Sequence, residues 1–318
     1  MTTYTFEPSA QLRDVTLRDG LQLAGKLLDT DRKVEIIRQL LDLGVPTLEI
    51  GSMARPDLVP AMANTLDVIA QLSTEELQRC WVWVATPRHV EKALNAGVRN
   101  FQYCFSASDA HNQANIGRTT EASLAAMPAA TALARDAGGR IQLCIATSFT
   151  CPFDGPVAMS RVIAIANDER TAGASDIVLC DTLGQAVPAQ VSELVSRVSR
   201  ETPRRGIVFH GHDTWGLGVA NTVAAIQAGA STVDGSLGGL GGCPFAPGAS
   251  GNTATEDILF ATRPTWFRPD TLARMVAISE DLLTDLGEPN RSKTLQGARS
   301  GSSAFEWAIG AHPPAPTD

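Results

Sequence analysis

Two of the five histidines in this 318-residue chain, His210 and His212, stand one residue apart in the stretch VFHGHDTWG (208–216). The apolar start of that stretch reads as a strand, and on a strand residues i and i+2 share a face. Both imidazoles therefore point the same way, and at the carboxyl end of a barrel strand they could bind one metal ion. Two interior histidines packed by other groups are the competing assignment. LRDGLQ (17–22) offers a carboxylate, Asp19, after the first strand-like run, although RDG is also an ordinary turn with a solvated ion pair. GGLGGCPFAPGASGNTATED (238–257) has a composition that suits neither helix nor strand, and so reads as a loop carrying Cys243 and, nine positions on, Asn252. A surface loop with a helix cap at the Asn-Thr step is its other reading. Two imidazoles, one carboxylate and one amide oxygen form a mixed, fairly hard donor set. That set suits Mg²⁺ or Mn²⁺, with Co²⁺ or Zn²⁺ possible, and leaves positions for a substrate hydroxyl and a neighbouring carbonyl oxygen.

Such residues, far apart in the chain, need a fold that collects them. Eight strand-like runs are visible, at 12–16, 47–52, 80–86, 101–106, 141–148, 176–182, 207–214 and 231–239. Amphipathic helical stretches lie between most of them, at 29–44, 88–97, 123–139, 155–173, 187–201 and 218–230. In the first, Val34, Ile37, Leu40 and Leu41 form one stripe, Thr30 is placed to cap the helix and Gly44 to end it. Eight strand–helix units in series with right-handed crossovers predict a closed α/β barrel, a (β/α)₈ TIM barrel. A doubly wound sheet fits less well, since no Gly-x-Gly-x-x-Gly turn follows the first strand. In a closed barrel only strand 8 separates strands 1 and 7, so Asp19 can meet the histidine pair. The organisation expected is one domain: a barrel over about 10–262, C-terminal helices over 263–305 and a loose tail at 310–318.

Composition narrows the function. Apolar residues make up 44% and charged residues 19%, enough for a large core, and the net charge of -8 argues against nucleic acid as a partner. No apolar run approaches membrane-spanning length, and the N-terminal stretch lacks the basic start and apolar centre of a signal peptide. Six scattered cysteines suit a reducing compartment, which points to the cytoplasm.

With these motifs assembled, the chain resembles the 3-hydroxy-3-methylglutaryl-CoA lyase family, within the metal-dependent lyase and synthase superfamily built on TIM barrels. The resemblance runs from about residue 10 to 300. It rests on RDGLQ (18–22), LEIGS with PDLVPAMA (48–63), CPFDG (151–155), CDTLG (180–184), HGHDTWG (210–216) and GLGGCPFAPGASGNTATED (239–257). It implies that Asp19, His210, His212 and Asn252 hold the cation. It further implies that Arg18 faces the thioester carbonyl, that Gln22 and Glu49 (placed at the end of strand 2) support substrate and Arg18, and that Ser52 and Asp181 line the pocket. Asn115, in the loop after strand 4, would touch the CoA arm. The implied reaction is retro-Claisen cleavage of an acyl-CoA thioester to acetyl-CoA and a keto acid, with His210 or Asp19 as base and Cys243 as proton donor. A homodimer is usual for the family. Where the family carries a basic residue and a tyrosine on strand 5, this chain has Gln142 and Cys144. HNQAN (111–115) lacks the lysines usual in that loop, and Val178 replaces a serine on strand 6. Another acyl group, such as citramalyl-CoA, is therefore an alternative, and a Claisen-condensing synthase of the same superfamily is a second.

Overall fold

The computed structural model describes residues 9–242, 245, 250–300 and 305–309. Eight parallel strands close a barrel: β1 (Gln11–Asp14), β2 (Thr47–Ser52), β3 (Cys80–Val84), β4 (Asn100–Ser106), β5 (Arg140–Ala146), β6 (Asp176–Asp181), β7 (Gly206–Gly211) and β8 (Thr232–Gly235). Neighbours in the barrel are neighbours in sequence, and β1 pairs with both β2 and β8. Each of the eight expected strands is present. Between β5 and β6 the CPFDG segment makes a small antiparallel ladder, Thr150–Cys151 against Gly155–Pro156.

Strand alternation sorts the core into two parts. Outward residues such as Ile141, Leu143, Ile145, Ile177 and Leu179 pack against the surrounding helices. The inward residues Cys104, Cys144, Ala146, Val178, Cys180 and Val208 form a separate cluster inside the barrel, with Trp83 against it. Below it lies a polar layer. Arg13 is fully buried and forks onto Asp234, Nε to Oδ1 at 2.9 Å and Nη2 to Oδ2 at 2.8 Å, while its Nη1 donates to Gln142 Oε1 at 2.6 Å. Such a bidentate pair compensates two charges that would each be costly to bury alone.

The helices differ from the expectation in places. α1 (Thr30–Asp42) is capped by Asp29, whose carboxylate accepts the Arg32 N–H at 2.8 Å; Thr30 is the first helical residue instead. The aspartate reaches the free N–H of the first turn from the extended position that Thr30 does not occupy. Between β2 and β3 lie two short helices that hydrophobic periodicity does not reveal, α2 (Thr65–Ala70) and α3 (Thr74–Gln78). Six and five residues are too few for a stripe, but the second was legible in a reciprocal Ser73–Glu76 capping box. After β3 comes α4 (Pro87–Asn95), and after β4 the chain forms two helices, α5 (Asp109–Ile116) and α6 (Thr120–Asp136). Asn115 therefore sits on a helix and not in a loop, because Ser108 caps a turn that runs on to Gly117, at φ 68°. The units then continue through α7 (Met159–Asn167), α8 (Pro188–Glu201), α9 (Gly218–Gln227) and α10 (Thr255–Thr262), followed by α11 (Pro269–Leu286) and α12 (Lys293–Ala298). Among the described residues no helix is long and apolar enough to cross a membrane.

Candidate metal centre and acyl cavity

Three strand ends build the mouth. After β1 the chain turns tightly, with the Arg18 and Gly20 N–H groups both donating to Val15 O at 3.1 Å, so Arg18 and Asp19 ride above the barrel axis. β7 delivers His210 within the strand and His212 one residue beyond it. The segment 250–253 runs back beside β7: Asp213 N–H donates to Gly251 O and Thr253 N–H to Gly211 O, both at 3.0 Å, and His212 bridges Asn252. That crossing needs glycine. A Cβ on Gly251 would lie 2.4 Å from Gly239 O, and one on Gly241, at φ 128°, would lie 2.6 Å from Asn252 Nδ2.

The result is a tight polar group. His210 Nε2 and His212 Nε2 face each other at 3.3 Å, and Asp19 Oδ2 lies 4.0 Å from the first and 3.5 Å from the second. Asn252 Nδ2 donates to Asp19 Oδ2 at 2.9 Å, and its Oδ1 is buried without a partner. Burial pushes the Asp19 carboxyl up, but Arg18 and the two imidazoles outweigh it and hold the group well below the ordinary carboxylate range. His210 Nδ1 is held by Asp234 Oδ2 at 3.1 Å, the outer carboxylate that orients a ligating histidine through its second nitrogen. Ligand atoms of Asp19, His210 and His212 all lie within 4.8 Å of one another. Two facing imidazole nitrogens and an ionised carboxylate fit a divalent cation, and Asn252, whose amide meets Asp19 through Nδ2, would add its partnerless oxygen only by turning the amide over.

Beside this group opens a cavity of about 520 Å³. Arg18 reaches into it while bonded to Asp19 Oδ1 and, Nε to Oε2 at 2.5 Å, to the fully buried Glu49. Burial alone would lower the guanidinium's proton affinity, but Glu49 and Asp19 more than offset it, so Arg18 stays charged. Glu49 is the third residue of β2 and not its end; a bulge between Glu49 and Gly51 turns both Glu49 and Ser52 inward although they are three apart. Gln22, Ser52 and Asn115 line the cavity. Asp181 does not. Alternation sends Cys180 and Thr182 to the cavity, so the Asp181 carboxylate faces away and accepts the Gln185 and Ala186 N–H groups, each at 3.1 Å. Gln142 is likewise taken up by Arg13, and Val178 is buried in the inner cluster, so neither reaches the cavity wall that Cys144 helps form. Cys243 lies outside the described residues.

Several neighbours of the site were missed from the sequence. Arg13 and Asp234 carried one available signal, charged residues at inward positions of apolar strands. His111 lines the cavity too, with Nδ1 2.6 Å from Ser106 Oγ and its pKa pushed down to about 4 by burial. No short motif marks it.

Fold and site together define a (β/α)₈-barrel protein whose mouth brings together residues that could hold a divalent cation, beside a buried arginine. Comparison with known proteins makes this more specific. The sequence model of the HMGL-like family matches residues 9–277. The (R)-citramalyl-CoA lyase of Chloroflexus aurantiacus is 39% identical over 291 residues, covering 87% of this chain and 90% of the relative. The crystal structure of the Bacillus subtilis HMG-CoA lyase superposes with a TM-score of 0.85 at 32% identity, covering 93% of this chain and all of the other. An Acinetobacter baumannii HMG-CoA lyase in complex with coenzyme A and 3-methylmalate superposes with a TM-score of 0.84 at 31% identity, covering 92% and 96%. The chain belongs to the HMGL-like family.

Proposed function

We propose that this carbon–carbon lyase cleaves a branched 3-hydroxyacyl-CoA, of the 3-hydroxy-3-methylglutaryl-CoA or citramalyl-CoA kind, to acetyl-CoA and a keto acid. The observation that carries the reading is the convergence of Asp19, His210 and His212 next to Arg18 at a cavity of about 520 Å³. Asp19, His210, His212 and Asn252 would hold the divalent cation, Mg²⁺ or Mn²⁺, which would supply Lewis acidity to the substrate's hydroxyl and neighbouring carbonyl. Asp19 or His210 takes the proton of the tertiary hydroxyl, and the C2–C3 electron pair moves onto the thioester as an enolate. Arg18, fixed by Glu49, neutralises the enolate oxygen. The Cys243 thiol returns a proton to C2, which balances the proton removed. Gln22, Ser52 and Asn115 line the path of the thioester. Among the described residues five cysteines are free and buried; the cytoplasm is inferred from the scattered cysteines of the sequence, and a homodimer from the resemblance alone.

The relatives named for two different acyl groups leave the same chemistry on both. The experiment is a panel of 3-hydroxyacyl-CoA thioesters assayed for acetyl-CoA release by chelated protein, then after return of Mg²⁺ or Mn²⁺. Metal-dependent acetyl-CoA release is expected. Condensation of acetyl-CoA with a 2-oxo acid, with no release from any thioester, would replace the lyase by a synthase.

A further inference from the structure

His111 faces the same cavity but takes no part in the cleavage chemistry. It stands in the first turn of α5, three residues past Ser108, whose hydroxyl accepts its backbone N–H at 3.2 Å. Its Nδ1 lies 2.6 Å from the hydroxyl of Ser106, the last residue of β4. Ser106 is fully buried, and among the described residues that hydroxyl has no other hydrogen-bond partner. If it accepted a proton from Nδ1, its own proton would be stranded, a costly arrangement inside a protein. The hydroxyl therefore donates to Nδ1. Burial pushes the His111 pKa down to about 4, so at neutral pH the ring carries one proton. That proton sits on Nε2, the nitrogen turned away from Ser106.

Phe245 crosses the ring at 78° with centroids 5.0 Å apart, and Phe153 lies 6.3 Å away. An N–H among apolar surfaces gains most from a fixed acceptor. An acyl-CoA brings such acceptors. With its thioester at Arg18, the pantetheine arm has to leave through the rest of the cavity, where α5 supplies part of the wall. The arm carries two neutral amide carbonyls separated by a β-alanine spacer of roughly 5 Å, somewhat more than one extended residue. Side chains four apart on a helix stand about 5–6 Å from each other, and His111 and Asn115 are such a pair, both on the cavity wall. A carboxylate is the poorer occupant, because between two phenylalanine rings it would exchange its hydration for one hydrogen bond from an uncharged ring.

We propose that His111 is a specificity-determining residue, donating its Nε2–H to one amide carbonyl of the pantetheine arm while Asn115 meets the other. The inference rests on the acyl-CoA reading and deepens it: the thioester is chosen by its arm as well as by its acyl group.

The probes are uncleavable acyl-CoA analogues that lack the 3-hydroxyl. One has the intact arm; in each of two others one arm amide is replaced by a trans-alkene, which keeps length and shape without the carbonyl. Titrated calorimetrically into the Mn²⁺-loaded wild type, the alkene forms should bind about 5- to 150-fold more weakly than the intact form. His111→Phe should weaken the intact form by a similar factor, and one of the two alkene replacements should then cost nothing further. His111→Gln, which carries an N–H of similar reach, should restore the sensitivity to that replacement. Equal weakening of all three ligands by His111→Phe would give the residue a structural role only and overturn the proposal. So would a wild type that binds all three alike. Because no titration needs turnover, a protein that binds in the expected pattern but releases no acetyl-CoA loses the lyase reading and keeps the His111 contact. One that releases acetyl-CoA while ignoring both replacements keeps the lyase and loses the contact.

Discussion

Replacing Asp234 by Asn keeps size and shape but removes the one group that serves both the metal centre and the buried arginine. Asp234 Oδ2 accepts from Arg13 Nη2 at 2.8 Å and lies 3.1 Å from His210 Nδ1, while Oδ1 accepts from Arg13 Nε at 2.9 Å. An amide has one acceptor where the carboxylate has two. With its oxygen at the Oδ2 position, the amide N–H groups meet Arg13 Nε, donor against donor. With the oxygen at Oδ1, they meet Arg13 Nη2 and donate to His210 Nδ1, which forces the proton onto Nε2 and blocks the face that should bind metal. The first arrangement leaves a buried cation without its counter-charge, about 3–5 kcal/mol, a fall in Tm on the order of 5–10 °C. The second adds a loss of metal affinity of about 10–100-fold. Thermal denaturation of the chelated protein reads the first term, and calorimetric titration with Mn²⁺ reads the second. Removing the stranded cation as well, with Arg13→Met on top of Asp234→Asn, should restore much of the stability and none of the affinity. An Asp234→Asn protein with wild-type Tm and wild-type Mn²⁺ affinity would refute the reasoning.

The other expectations address separate links. Cys243→Ala should lower acetyl-CoA release by about 10²- to 10⁴-fold while Mn²⁺ titration stays at wild type; loss of binding instead would assign the thiol to structure. Gly251→Ala places a Cβ 2.4 Å from Gly239 O, so the backbone must shift at the residue before Asn252. A destabilisation of about 1–3 kcal/mol should accompany weaker Mn²⁺ binding, and an unchanged Kd would mean Asn252 is no ligand. Burial lifts the Glu256 carboxyl from 4.5 to about 7, against the Ser279 hydroxyl and the Gly238 N–H. The folded chain then holds a proton that the unfolded chain releases, so this contribution is whole below pH 4.5 and is lost as pH rises through about 7. Glu256→Gln should therefore gain Tm relative to wild type between pH 5 and 8, by the equivalent of at most about 3 kcal/mol, and a pH-independent Tm difference counts against it.

The barrel was legible because each strand is a short apolar run rich in β-branched or aromatic residues, too short for a helix, and because amphipathic helical stretches separate most of these runs. His210 and His212 were legible for the same reason: strand geometry alone puts i and i+2 on one face. Asp181 was misplaced by one step of that rule, since a motif says that a residue is near the mouth but only the register says which way it points. α5 escaped notice because Asp109–Ile116 has almost no apolar stripe; its cavity-lining residues mix His111, Gln113 and Asn115 with Ala114 and Ile116, and its cap, Ser108, is a single residue. The partnership of Arg13 with Asp234 spans 221 positions, and no local pattern announces it.

The irregularities of the chain are where the site becomes specific. A regular β2 would turn Ser52 away from the face that Glu49 occupies. The bulge between Glu49 and Gly51 keeps both inward, so one strand supplies the carboxylate that fixes Arg18 and, at its end, a hydroxyl at the cavity. That arrangement requires the backbone at Gly51 to pass close to α2, where a Cβ would lie 2.6 Å from the Thr65 side chain. The tight turn after β1 and the glycine-bounded return at 250–253 do the same for Asp19 and Asn252. The regular barrel sets strand ends near one another to within several ångströms. The departures from regularity then bring a carboxylate and two imidazoles within reach of a single ion, with the arginine held alongside.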